Sequence, residues 1–231
     1  MFVRARLLRP LARTLLAKEW AALKTQLEEE YTRLLQLGDC HPPLTAQCLL
    51  VSGEDHRHRR HPGFDVIAIC RALWRGLFLG LPEGASTIEQ QIVRVLSNRY
   101  ERTLSRKVRE VLLATLVQEV VPKASMPAIY LEIGYFGWRM NGFQQACARL
   151  GQNPAALSVD QAASLVARLK YPQPRECPPA RWQQIARRTG HLQALYSRHL
   201  LDGTYIHLTK EANAEALRIG RVHAPAYGAV S

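Results

Sequence analysis

The chain of 231 residues has no run of roughly 18 uncharged apolar residues, the length a helix needs to cross a bilayer. Its N-terminus also lacks the unbroken apolar core of a secretion signal, because Arg4, Arg6, Arg9 and Arg13 interrupt it. As written, the sequence is expected not to span a membrane. Cysteine is sparse and scattered: Cys40, Cys48, Cys70, Cys147 and Cys177 are odd in number and form no Cys-x-x-Cys pair. That excludes a disulfide framework and a zinc signature, and leaves small buried hydrophobes with one exposed thiol as the expectation. Sustained period-two alternation is almost missing, which argues against a β architecture. There is no internal repeat and no low-complexity tract. Negative charge is the scarce sign, with 19 Asp and Glu against 31 Lys and Arg.

That imbalance gives a formal charge of +12 and a pI near 9.9. A surplus of this size favours an anionic partner: nucleic acid, an acidic membrane surface or a phosphorylated substrate. A hydrophobic content of 47% with ordinary Gly and Pro counts indicates a folded globular protein. The length suits one domain of about 150–180 residues with an appendage.

Residues 2–37 read as helix, with Leu16, Trp20, Leu23, Leu27, Tyr31 and Leu34 forming one stripe. This stretch has no acid before Glu19. It either packs on the domain or lies on anionic lipid, and Pro10 in its most basic part favours packing. The run Gly38 to Pro43 is a break. From Leu49 to about Pro174, apolar helical stretches alternate with short polar loops. Pro172, Pro174, Pro178 and Pro179 form an exit, residues 181–201 look amphipathic, and the tail beyond Asp202 is weakly patterned. The expected organisation is therefore a basic N-terminal helix over 1–40, a mostly α domain over 41–177 and a helical extension over 178–231.

Three segments carry chemistry. In Ser52 to Asp65 the adjacent carboxylates Glu54 and Asp55 sit among His56, His58, His61, Arg57, Arg59 and Arg60. Such a cluster can hold a carboxylate ionised, or shift it for acid/base work when buried. A solvated charge run and a histidine metal site compete with that reading, although His-x-His-x-x-His matches no helical face. In Glu83 to Arg94, Ser86 or Thr87 can cap a helix that carries Gln90 and Gln91. Free amides, hydroxyls and amide side chains at a helix start suit phosphate or sugar hydroxyls. In Glu101 to Glu110, with Ser105 as the expected cap, Arg106 and Glu110 fall on one helix face beside Lys107. A surface ion pair explains that spacing, and so does a cationic cradle for a pyrophosphate oriented by Glu110.

In this order, the segments resemble glycosyltransferase family 51, the transglycosylase domains of bifunctional penicillin-binding proteins and the monofunctional peptidoglycan transglycosylases. That family carries Glu-Asp-x-x-Phe-x-x-His-x-Gly, Gly-Ala-Ser-Thr-Ile-Thr-Gln-Gln and Arg-Lys-x-x-Glu; here they stand at Glu54 to Gly63, Gly84 to Gln91 and Arg106 to Glu110. Tyr130 to Gly137, Asn141 to Ala146 and Leu157 to Pro172 resemble later blocks, so the likeness covers roughly residues 49–175.

The resemblance implies a lysozyme-like helical domain with a small jaw subdomain that touches the membrane. It implies polymerisation of lipid II into glycan strands, with inversion and release of undecaprenyl pyrophosphate. Glu54 would be general base on the acceptor's 4-hydroxyl, and Glu110 would match the second catalytic glutamate. Substrate and pyrophosphate would be held by Asp55, His61, Ser86, Thr87, Gln90, Gln91, Arg94, Arg106 and Lys107. Many members use a divalent cation, Mg2+ or Mn2+, expected here near Glu110. The implied partners are lipid II, the growing glycan, an anionic membrane surface and other cell-wall synthesis proteins. The implied place is the outer (periplasmic) face of the bacterial cytoplasmic membrane, reached through an unseen export route or start site or by peripheral attachment after export, or replaced in a specialised member by an intracellular setting.

The chain departs from the family pattern at five positions. His58 stands for Phe, Glu89 for Thr, Val95 for Asn, Glu132 for Asn and Gln161 for Glu. Glu89 would place a carboxylate near the pyrophosphate site. Two other classes follow from these departures and from the fold: a non-catalytic module that binds lipid II or the cell-wall machinery, and a lysozyme-like glycan-cleaving enzyme. The retained Arg106, Lys107 and Glu110 argue against cleavage, which needs no pyrophosphate cradle. Positive charge that follows the motifs, not an aromatic-interleaved patch, makes nucleic acid an unexpected partner.

Overall fold

The central helix of the molecule is apolar on every side, and that is why it is buried. In the computed structural model, which describes residues 2–80 and 84–208, this helix, α3, runs Leu44–Glu54. Its residues from Ala46 to Ser52 are all buried, as expected of a helix without a polar face. It packs against α7 (Met126–Ile133), α9 (Val159–Lys170) and α10 (Pro179–Leu201). Glu83 and the tail from residue 209 lie outside the described residues.

The fold is mostly helical, as expected. The N-terminal stripe, expected as one helix, is two: α1 (Phe2–Leu15) and α2 (Ala17–Gln36), parted at Leu16. Pro10 is carried inside α1, and the break falls six residues later. Arg9 donates from Nε to the Thr115 carbonyl at 3.1 Å, and Arg13 pairs with Glu119 at 2.5 Å, so this basic helix is tied to the domain. Leu16, Leu23, Leu27 and Leu34 are buried, with Trp20 and Tyr31 packed at the edge. One hydrophobic core runs from Leu16 to Leu208, with Phe136, Phe143, Leu49 and Met126 among its largest fully buried side chains.

Around this core lie α5 (Ile88–Leu96), α6 (Leu104–Ala114) and α8 (Phe143–Arg149), with a short antiparallel pair, β1 (Tyr135–Gly137) and β2 (Met140–Asn141). The remaining helix, α4 (Val66–Leu79), starts at an Asp65 cap that accepts from the Ile67 amide at 3.0 Å and stops at Gly80 in the left-handed region. Its apolar side chains are left uncovered: Ile67, Trp74, Leu77, Phe78 and Leu79 are all exposed, Leu77 by 79%. Among the described residues no helix is long and apolar enough to cross a membrane.

Two sequence expectations need correction here. Cys48 and Cys147 are buried as expected, but two thiols, Cys40 and Cys70, are exposed and Cys177 is partly so. Positive charge does not follow the motifs alone. Arg139, Arg149 and Arg175 surround the Trp138 ring, and Tyr171 and Trp182 each sit under further cations, because residues 138–182 fold the hairpin and the α9–α10 connection together.

Candidate active site

Glu54 is the last residue of α3, so the buried helix delivers a carboxylate to its own C-terminal end. There it opens on a groove of about 920 Å³ whose walls carry Arg71 and Arg75 of α4, Ser86, Gln91 and Arg94, and Lys170 and Arg188. Each carboxylate oxygen is held. Oε2 accepts from Gln91 Nε2 at 3.2 Å, and Oε1 accepts from Arg188 Nη2 at 2.8 Å. Gln90 Nε2 and Gln91 Oε1 are buried without a hydrogen-bond partner among the described residues. Unpaired buried polar groups are costly, and they gather where a ligand completes them.

Across the groove α5 and α6 form a cationic cradle. Thr87 caps α5, as one of the two expected candidates, accepting from the Gln90 amide at 3.3 Å. The cap of α6 is Thr103, not the expected Ser105: its hydroxyl accepts from the Arg106 amide at 3.2 Å. Starting the helix at Leu104 puts Arg106, Lys107 and Glu110 on the face toward α5.

Glu110, only 3% exposed, then sits among three cations. Arg94 donates to both of its oxygens, from Nε at 3.1 Å and Nη2 at 3.0 Å; Lys107 Nζ reaches Oε1 at 2.7 Å, and Arg106 Nη1 bonds Oε2. Lys107 also donates to Ser86 Oγ at 2.9 Å and Gln90 Oε1 at 2.5 Å, and Arg94 to Ser86 Oγ at 3.2 Å. Burial alone would raise the Glu110 carboxyl, but hydrogen bonds from Arg94 and Lys107 pull it below its usual range. Burial and the neighbouring guanidinium groups push the Lys107 ammonium below its ordinary value as well. One anion against three cations leaves a net positive pocket faced by a serine hydroxyl, which is chemistry for phosphate oxygens.

The residues around Glu110 do not fit a divalent cation. Both oxygens already accept from three cations, and no second carboxylate joins them among the described residues. The one grouping of metal-ligand types among those residues is Asp55, His58 and Glu89, which is buried. There the Lys123 ammonium already bonds Glu89.

Asp55, His61 and Thr87 form the layer beneath Glu54 and bear mainly on its backbone. Asp55 accepts from His61 Nε2 at 2.9 Å and from the Ile88 amide at 3.2 Å, which ties the end of α3 to the start of α5. Thr87 donates to the Gly63 carbonyl at 2.6 Å. Gly63 has φ +121°, and a Cβ there would lie 2.2 Å from the Ala114 carbonyl oxygen, so only glycine lets this loop pass the end of α6.

The structure also accounts for the altered positions. Glu89 does not face the cationic cradle, as its place in the motif suggested it would. It is fully buried on the opposite side of α5, bonded to Lys123 and Gln118 with His58 Nε2 at 4.0 Å. His58 is fully buried beside it and shares a 3.0 Å hydrogen bond with His207. Burial drives the His58 imidazole well below its ordinary value and His207 to about 4; burial would raise the Glu89 carboxyl, but Lys123 and His61 together bring it below its ordinary value. Glu132 is buried and accepts from Gln144 at 3.1 Å; Gln161 completes a capping box with Ser158. Val95 is half-buried. None of these five lines the groove.

The fold brings the expected residues Glu54, Ser86, Gln91 and Arg94 to one groove, with Gln90, Arg106, Lys107 and Glu110 closing its cationic end. Arg188, Arg71 and Arg75, which line the same groove from segments without a motif, were not among the residues expected there. For Arg188 the only signal was its place on an amphipathic helix.

The transglycosylase family model matches residues 19–194. The chain is 34% identical over 133 residues to penicillin-binding protein 1A of Escherichia coli K12, which covers 57% of this chain and 16% of that protein. It is 36% identical over 124 residues to penicillin-binding protein 1A of Aquifex aeolicus, covering 53% and 17%. To penicillin-binding protein 1C of Escherichia coli K12 it is 32% identical over 140 residues, covering 59% and 18%. The chain thus matches less than a fifth of the length of these relatives.

Proposed function

The chain belongs to the transglycosylase family, and from that premise we propose that it is a peptidoglycan glycosyltransferase that polymerises lipid II. One observation carries the reading: a held carboxylate, Glu54, opens on a groove whose far end is a net positive cradle built by Arg94, Arg106, Lys107 and Ser86. A base and a phosphate site facing each other are what transfer from a lipid pyrophosphate to a sugar hydroxyl requires.

In this reading Glu54 takes the proton of the acceptor's 4-hydroxyl as that oxygen attacks the donor's anomeric carbon. The anomeric C–O bond breaks on the opposite face, and its electron pair leaves with the undecaprenyl pyrophosphate. Arg94, Arg106 and Lys107 meet the developing negative charge, and Glu110 holds the three cations together without neutralising them. Gln90 and Gln91 offer their unpaired amide atoms to the sugars. The uncovered apolar side of α4, with Trp74, Leu77 and Phe78, is the jaw that rests in the lipid surface, so that a lipid-borne substrate enters beside it. The basic charge of the chain favours an anionic leaflet and supports peripheral placement at the outer face of the cytoplasmic membrane.

Labelled lipid II in detergent tests this. Wild type should form glycan chains, and Glu54→Gln should lower the rate by about a thousandfold. Lipid II bound by wild type without any polymer would make the chain a binding module instead.

A further inference from the structure

Helix α10 contributes a group to the groove beside Glu54 that none of the motifs contains. A carboxylate at the C-terminal end of a helix stands against the negative end of the helix dipole, beside carbonyls without intrahelical partners. Arg188 answers both problems with one nitrogen: Nη2 donates to the Gly53 carbonyl at 2.7 Å and to Glu54 Oε1 at 2.8 Å. Its side chain is 10% exposed, so the contact is made largely out of water, where a charge-assisted hydrogen bond is strong and directional.

Two further observations separate this from an ordinary helix cap. A Cβ on Gly53 would lie 2.3 Å from Leu192 Cδ2 and 2.8 Å from Arg188 Nη2, so α10 lies against α3 at the residue before the carboxylate. Arg188 Nε is buried and has no acceptor among the described residues, which a side chain placed only for stability would not leave unmade.

We propose that Arg188 is a positioning residue for Glu54: from α10 it fixes one carboxylate oxygen, as Gln91 fixes the other, so that the remaining lone pairs face the acceptor hydroxyl. This rests on Glu54 being the base. What Arg188 supplies is orientation, and a proton acceptor misplaced by about 1 Å costs about a hundredfold in rate.

The test is lipid II polymerisation by the whole chain, comparing wild type, Arg188→Ala and Arg188→Lys, with melting temperatures measured alongside. Arg188→Ala should lose about a hundredfold in kcat with KM little changed. Free guanidinium ion should restore part of that rate, and should do nothing for Glu54→Gln. Arg188→Lys, which keeps the charge on a stem without the planar fork, should fall between the two. The proposal is overturned if Arg188→Ala keeps the wild-type kcat, if its loss lies wholly in KM, or if guanidinium restores nothing. Should the alanine variant fail to fold, wild-type kcat in the lysine variant overturns it. An inactive wild type would instead remove the reading of Glu54 as a base, and this inference with it.

Discussion

Glu110 and Glu89 are both buried carboxylates on or facing α5, yet they answer to different neighbours. Glu110 is shared by three cations that it organises, so its removal should do more than delete a charge. Glu110→Gln leaves Arg94, Arg106 and Lys107 close together without an anion, and should lower stability by about 3 kcal/mol in chemical denaturation. Because the folded state holds this carboxyl below its unfolded value, its contribution is present above about pH 4.3 and fades as pH falls further. The acid limb of the wild-type stability curve should therefore be steeper than that of Glu110→Gln. Glu89 offers the contrasting case. Glu89→Thr leaves the Lys123 ammonium partly buried with no carboxylate and should destabilise by a similar amount, while the polymerisation rate per folded molecule stays as in wild type. A fall in rate at unchanged stability would place Glu89 in the cradle after all.

At the scale of elements, the readable parts were those whose neighbours lie close in sequence. The helix starting near Thr87, the pairing of Arg106 with Glu110 four residues on, and the stripe of α2 follow from local periodicity. The start of α6 was misplaced by two residues, since Thr103 and Ser105 are equally good caps and only packing against α5 decides between them. The break at Leu16 was missed because the periodic stripe runs through it while Pro10, the visible breaker, sits inside a helix. The Lys123–Glu89–His58–His207 network was illegible because its members come from four separated segments.

Two element-scale predictions follow from packing. Gly63→Ala would put a methyl within 2.2 Å of the Ala114 carbonyl oxygen and should cost about 3 kcal/mol by pushing the loop off α6. On α4, replacing Leu77 and Phe78 by Glu removes two uncovered apolar side chains, each worth about 2 kcal/mol on burial. Sedimentation with anionic vesicles should show partitioning weakened by more than about tenfold; unchanged partitioning would mean that another face meets the lipid.

In the whole molecule, one core joins the N-terminal helices, the motif-bearing centre and the segment through Leu208. The consequence is that α10, which carries none of the motifs, is still a wall of the groove. The five altered motif positions also lie away from that groove, so the departures from the family pattern change the scaffold and leave the facing carboxylate and cationic cradle in place. The comparison of wild type with Glu54→Gln on labelled lipid II, read as glycan chain length on a gel, bears on this account most directly. Polymer from wild type with little or none from Glu54→Gln is the predicted result. Equal polymer from both, or bound lipid II and no polymer from either, would contradict it.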